Sequence, residues 1–115
     1  FVAAAEAILV GERFGLDPGV MIDVMNASSG RSFNTENLMK QQVISRQFAS
    51  GFALGLLAKD VKIASDLAGA IDVEAPLSQL VTDLIGEARD HVGAERDHTQ
   101  AFTVWEKRGM RSAAE

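Results

Sequence analysis

From Phe52 to Ile71 nothing in the chain breaks a helix, and the first turn-forming residue after it is Asp72. A helix of that length extends roughly 30 Å at 1.5 Å per residue. Leu54, Leu57, Val61, Ala64, Ala68 and Ile71 recur at the spacing of one helical face, with Leu56, Ile63 and Leu67 beside them. The resulting apolar arc covers nearly half the circumference, wider than the stripe of an ordinary surface helix. This pattern predicts a central helix packed on two sides, in which Leu67→Ala would cost about 2–5 kcal/mol. Asp60 interrupts the arc between Leu56 and Ile63, and Lys59 stands at its margin. A carboxylate on a buried face is costly unless it is paired or hydrogen-bonded. A buried ion pair or a cap on a neighbouring helix would account for it, and so would a ligand cleft faced by Lys59 and Asp60.

The flanking segments are helical too. Phe1 to Phe14 has the alanine-rich, apolar character of a helix interior and lacks a capping residue at its start. The simplest reading is a piece of a longer protein that begins within a helix. Gly15 supplies the stop, and Asp17-Pro18 restarts the chain as N-cap and first helical residue. Val20, Met21, Val24 and Met25 form the inward face of this second helix, with the methionines as core filler. Asn26 to Ser32 reads as a small polar loop, in which serines, backbone N–H groups and Arg31 could meet an anion. Asn34 to Gln47 predicts an irregular or short helix, and Ser50 is the expected N-cap of the central one. Pro76 opens a further helix to about Val92 with Leu77, Leu80, Val81, Leu84, Ile85 and Ala88 along its stripe, and Gly93 ends it. Asp97 caps a last helix carrying Ala101, Phe102 and Trp105, followed by a charged tail expected to fray. No strand-like alternation occurs, so the expected fold is all-α: several helices around one long central helix.

Composition narrows the chemistry. The 115 residues suffice for one domain with a real core, and a net charge of −5 without a basic cluster argues against a nucleic-acid backbone as partner. With no cysteine there is no disulfide framework and no thiolate nucleophile, which fits a cytoplasmic protein. No apolar run approaches a membrane span. His91 and His98 would need a shared face and a third ligand to bind a metal, so no metal site is expected.

The order Ala5-Glu6-Ala7, Gly15-Leu16-Asp17-Pro18 and Asn26-Ala27-Ser28-Ser29-Gly30-Arg31-Ser32 resembles the 3-hydroxyisobutyrate dehydrogenase family. The likeness continues through Gly51-Phe52-Ala53-Leu54, Lys59-Asp60 with Ala64, and Gly93 with Asp97 and Ala101, covering nearly the whole chain. These β-hydroxyacid dehydrogenases join an N-terminal Rossmann domain, which binds NAD or NADP, to a helical C-terminal domain. That second domain, of the 6-phosphogluconate dehydrogenase C-terminal type, completes the active site and forms the dimer. The resemblance implies that residues 1–115 are such a C-terminal domain. The Rossmann glycine motif and the catalytic lysine of the family have no counterpart in this chain.

Three positions carry over individually. By the resemblance, Phe52 lines the substrate site, Lys59 contacts the nicotinamide cofactor, and Asp60 supports the site from beside it. The resemblance also favours the cleft over the structural pair for Asp60. Phe52 and Lys59 are seven residues apart, almost two full turns, so they project from nearly one side within about 10 Å along the axis. Asp60 lies about 100° round and faces inward, toward the core or the cleft wall. The implied reaction passes hydride between a nicotinamide and a hydroxyl-bearing carbon of a small hydroxyacid or semialdehyde. The isolated chain would be inactive and would bind cofactor weakly. Its apolar surfaces predict a homodimer. The alternative is a helical interaction module that kept the fold and lost the chemistry.

Overall fold

The computed structural model describes residues 1–111, with side chains placed through Gly109. Its helices are α1 (Val2–Phe14), α2 (Pro18–Asn26), α3 (Phe33–Asn37), α4 (Leu54–Ala70), α5 (Pro76–Val92) and α6 (Ala101–Arg111). A π-helical turn at Met39–Ile44 follows α3, and a 3₁₀ turn at His98–Gln100 leads into α6. No strand forms among the described residues, and the fold is all-α as the pattern predicts.

Several boundaries follow from capping chemistry. Gly15, at φ 103°, closes α1 through bonds from its own N–H to the Glu12 carbonyl and from the Leu16 N–H to the Gly11 carbonyl. The Asp17 carboxylate accepts the Val20 N–H at 2.9 Å, with Pro18 at the first helical position of α2. Ser32, at the end of the expected loop, is an N-cap: its hydroxyl accepts from the Thr35 N–H while the Thr35 hydroxyl accepts from the Ser32 N–H. The irregular stretch beyond α3 is the π-turn, where the amides of Val43 and Ser45 reach five residues back to Leu38 and Lys40. The last helix, α6, continues to Arg111. The rest of the expected frayed tail, 112–115, lies outside the described residues.

The core is built from Ala5 and Ile8 of α1, Ile22 of α2, Met39 and Val43 of the π-turn, and Ala101, Phe102 and Trp105 of α6. α4 contributes Leu54 and Ala58 to it and α5 contributes Ile85 and Ala88, with Leu57, Val61, Val81 and Leu84 packed against it from outside. The remainder of α4 and α5 forms an antiparallel hairpin, linked where the Ser65 hydroxyl donates to the Gln79 side chain at 3.2 Å, while the Thr82 hydroxyl, which donates to the Ser78 carbonyl of its own helix, lies 3.2 Å from the Val61 carbonyl oxygen. Thus α4 is not packed on two sides. Val61, Ser65 and Ala68 turn toward α5 and are half-buried, whereas Leu56, Ile63, Leu67 and Ile71 are open to solvent. Leu67 is 58% exposed, so the stability cost expected of Leu67→Ala does not arise within one chain.

Ser50 does not cap α4. The N-cap is Ala53, which has no polar side chain, and the first amides of α4 go elsewhere. The Leu54 N–H donates to the Arg96 carbonyl at 2.7 Å, and the Gly55 N–H to the Ala94 carbonyl at 2.8 Å. Backbone acceptors thereby satisfy donors that a side-chain cap would otherwise serve. Position 55 must lack a side chain for this approach. A Cβ there would lie 2.9 Å from the Ala94 Cβ and 3.0 Å from the Ala94 carbonyl oxygen. Gly55→Ala is expected to lower stability by a net of about 1–2 kcal/mol, overpacking outweighing the gain in helix propensity. A thermal melt beside wild type checks it, and an unchanged or higher midpoint would contradict this packing.

Candidate functional site

The segment carrying Phe52 enters through two residues with left-handed backbone, Arg46 (φ 63°) and Phe48 (φ 48°), and then Gly51 (φ 90°). Bulky residues rarely adopt this region, so tertiary contacts must hold them there. The Arg46 guanidinium donates to Glu106 at 2.9 Å and lies over the rings of Phe48 and Phe102. Gln42 accepts the Phe48 N–H on its backbone carbonyl and the Ala49 N–H on its side chain.

Beyond this strap, Ser50, Gly51 and Phe52 are tied to the run at 94–98. Asp97 Oδ2 accepts from the Ser50 hydroxyl at 2.8 Å and from the Gly51 N–H at 2.9 Å. Its Oδ1 accepts from the Thr99 N–H at 3.0 Å and from the Thr99 hydroxyl, capping the 3₁₀ turn. The Phe52 carbonyl accepts the His98 N–H at 2.8 Å. His98 Nδ1 lies 3.0 Å from the Ser50 hydroxyl oxygen and 3.3 Å from the Phe52 carbonyl oxygen. Since the single hydroxyl proton of Ser50 goes to Asp97, this network assigns the imidazole proton to Nδ1. The Phe52 ring meets the His98 ring edge-on at 5.6 Å, and Phe1 stands at 5.5 Å from the same imidazole.

Burial opposes the charge of Asp97, but the hydroxyls of Thr99 and Ser50 and the N–H groups of Thr99 and Gly51 outweigh it, holding the carboxyl below the usual aspartate value. Burial also pushes the His98 imidazole below its ordinary value, against the opposing pull of the Phe52 carbonyl and the Asp97 charge. Both groups bind protons more readily in the unfolded chain. Their contributions are therefore full above the unfolded values, about 6.5 for histidine and about 3.9 for aspartate, and are lost as pH falls through the lower folded values. Denaturant midpoints are expected to fall from pH 7 to pH 5, with a shallower slope in His98→Asn. A wild-type midpoint that rises on acidification would contradict the assignment.

Lys59 and Asp60 lie on the outward side of α4. Their side chains are 60% and 56% exposed and pair at 3.7 Å. The expectation that Asp60 faces the core is corrected: the apolar residues on either side of it, Leu56 and Ile63, are themselves exposed. Lys59 and Asp60 therefore do not form a buried ion pair. Phe52, 37% exposed, precedes the first residue of α4. Helical projection therefore does not set its direction relative to Lys59; the run at 94–98 does. In the Asn26–Ser32 loop, Arg31 pairs with Glu36 at 3.3 Å and the Ser28 hydroxyl donates to the Val24 carbonyl at 2.8 Å.

Sequence reasoning missed the grip of Ser50 and His98 on Phe52. The one available signal was Asp97-His98 with a serine beside Gly51-Phe52, and 47 residues separate Ser50 from Asp97. A separate groove of about 1000 Å³ lies between α1 and α6, lined by apolar residues including Leu9, Val10, Phe14, Leu84 and Trp105. It includes none of Phe52, Lys59 and Asp60. Burial and then Glu106 raise the carboxyl of Glu12 at its edge, with Arg46 opposing. Among the described residues no His, Cys, Asp or Glu cluster is placed to hold a metal, and no helix is long and apolar enough to cross a membrane.

Comparison with known proteins gives consistent likenesses. The family described as "NAD-binding of NADP-dependent 3-hydroxyisobutyrate dehydrogenase" matches residues 1–105. A 2-(hydroxymethyl)glutarate dehydrogenase of Eubacterium barkeri is 32% identical over 103 residues, covering 90% of this chain and 34% of that protein. A 3-hydroxyisobutyrate dehydrogenase of Pseudomonas aeruginosa is 35% identical over 100 residues, covering 82% of this chain and 33% of that one. The crystal structure of a 3-hydroxyisobutyrate dehydrogenase from Salmonella typhimurium superposes with a TM-score of 0.81 at 26% identity, over 90% of this chain and 36% of that one. The chain spans about a third of the length of the curated relatives it matches.

Proposed function

This chain belongs to the 3-hydroxyisobutyrate dehydrogenase family, and from that premise we propose that it is the helical domain that completes the active site of an NAD(P)-dependent β-hydroxyacid dehydrogenase and joins two copies of it. The observation that carries the proposal is the open position of Lys59 and Asp60 on the free side of α4. An ion pair at 3.7 Å is beyond hydrogen-bond distance, so the ammonium keeps donors for a ligand. Lys59 would meet the nicotinamide cofactor, Asp60 would hold the ammonium in place, and Phe52 would form an apolar wall against the substrate carbon chain. These groups fit one lip of a dinucleotide site. They do not form a cradle, since the chain contains no Gly-x-Gly-x-x-Gly run. When bound, the nicotinamide supplies hydride transfer to or from the hydroxyl-bearing carbon. The chain's own part is to bind, to orient and to keep water from the reacting carbon.

The dimer rests on the uncovered apolar residues of α4 and α5, among them Leu56, Ile63, Leu67, Leu77 and Leu80. The same surface would serve an interaction module without chemistry, and one assay separates the two. The parent protein carrying this domain is incubated with 3-hydroxyisobutyrate and NAD or NADP, and formation of reduced nicotinamide is followed. Turnover is expected, with none from residues 1–115 alone. A parent that binds neither cofactor and oxidises no small β-hydroxyacid would leave only the interaction module.

A further inference from the structure

We infer that Ser50, Asp97 and His98 are positioning residues that fix Phe52 for substrate, an inference that rests on the substrate role proposed for Phe52. Two observations set this group apart from an ordinary helix cap. The first is how Asp97 divides its oxygens. Oδ1 takes both donors of Thr99 and serves the 3₁₀ turn, while Oδ2 takes Ser50 and Gly51 and serves the segment leading to Phe52. A cap needs only the first half.

The second is how completely His98 holds Phe52. It donates to the Phe52 carbonyl from its backbone N–H at 2.8 Å and lies within reach of the same oxygen through Nδ1 at 3.3 Å. It also sets its ring edge-on against the Phe52 ring at 5.6 Å. His98 is itself buried. Phe52 is thus fixed at its backbone and on one side of its ring, and the ring remains partly open to solvent. A side chain with two rotatable bonds held in this way offers a surface of fixed shape. Misplacement of such a surface by an ångström weakens substrate orientation without touching the cofactor.

The divided carboxylate supplies its own control. In the parent protein, Ser50→Ala and His98→Leu remove the side-chain contacts of the Phe52 half, Thr99→Val removes the hydroxyl bond of the turn half, the backbone donors remaining in each, and His98→Asn restores a donor near the position of Nδ1. The first two are expected to raise KM for 3-hydroxyisobutyrate about tenfold with cofactor KM unchanged. His98→Asn should recover most of that loss. Thr99→Val should lower the melting temperature while leaving both KM values near wild type. A second readout does not depend on activity: with para-fluorophenylalanine incorporated and the Phe52 signal assigned through Phe52→Leu, that fluorine signal should shift in Ser50→Ala and His98→Leu but not in Thr99→Val. An unmoved fluorine signal in Ser50→Ala and His98→Leu overturns the inference whatever the kinetics. So does a hydroxyacid KM that changes no more than in Thr99→Val. Absence of turnover in the wild-type parent would instead strike the enzyme reading, and the fluorine signal would still decide whether the three residues hold Phe52.

Discussion

Replacing both Ile63 and Leu67 with glutamate is expected to convert the proposed dimer into monomers, raising its dissociation constant about thousandfold or more. The two side chains are 59% and 58% exposed on one helix, four residues apart, so they share a face. In a two-fold interface each change occurs twice, so four aliphatic side chains leave the contact. Burying one such side chain is worth roughly 1.5–3 kcal/mol, so the exposed fraction of four comes to roughly 3.5–7 kcal/mol, against about 4 kcal/mol for a thousandfold change. Four carboxylates brought to the interface add desolvation cost. Neither residue belongs to the core of the single chain, so helicity should survive. Sedimentation at tens of micromolar reads the outcome. A wild type that stays monomeric there would refute the dimer, and a double variant that stays dimeric would move the interface elsewhere, the α1–α6 groove being the next apolar surface.

Lys59→Ala in the parent protein is expected to lower kcat/KM about a hundredfold and to weaken cofactor binding, the scale of losing one charged donor at a reacting centre. Folding stability should hardly change. The Lys59–Asp60 pair is exposed, and such pairs contribute roughly 0–1 kcal/mol. Asp60→Ala should likewise reduce turnover without a large stability cost, because no buried partner is left unpaired. Steady-state kinetics and melting curves on the same samples test this separation. Normal turnover and cofactor affinity in Lys59→Ala would reduce α4 to scaffold.

Most of the fold was legible because helix boundaries depend on local chemistry. Gly15, Asp17-Pro18, Pro76, Gly93 and Asp97 act within a few residues of where they stand. The failures share a different cause. The apolar arc of α4 is real but uncovered within one chain, because periodicity reports which residues share a face and not what lies against it. Ser32 escaped notice because its capping partner is Thr35 and not the usual glutamate or glutamine. The π-turn has no marker in residue type. Local spacing points Ser50 to the nearest helix, whereas its partner Asp97 is 47 residues away. Of the candidate site, Lys59, Asp60 and Phe52 were reached through family resemblance. Their exposure and the tether behind Phe52 came only with the fold.

The anchoring of α4 on two carbonyl oxygens bears on how this sequence can drift. A carbonyl is the same on every residue, so positions 94 and 96 can change side chain freely and still receive the amides of Leu54 and Gly55. Selection acts instead on the donors' side of the bond. Proline is barred at 54 and 55 for want of an N–H, and any side chain is resisted at 55 by the backbone it would strike. The join between the hairpin and the rest of the molecule is written chiefly in what position 55 must not carry.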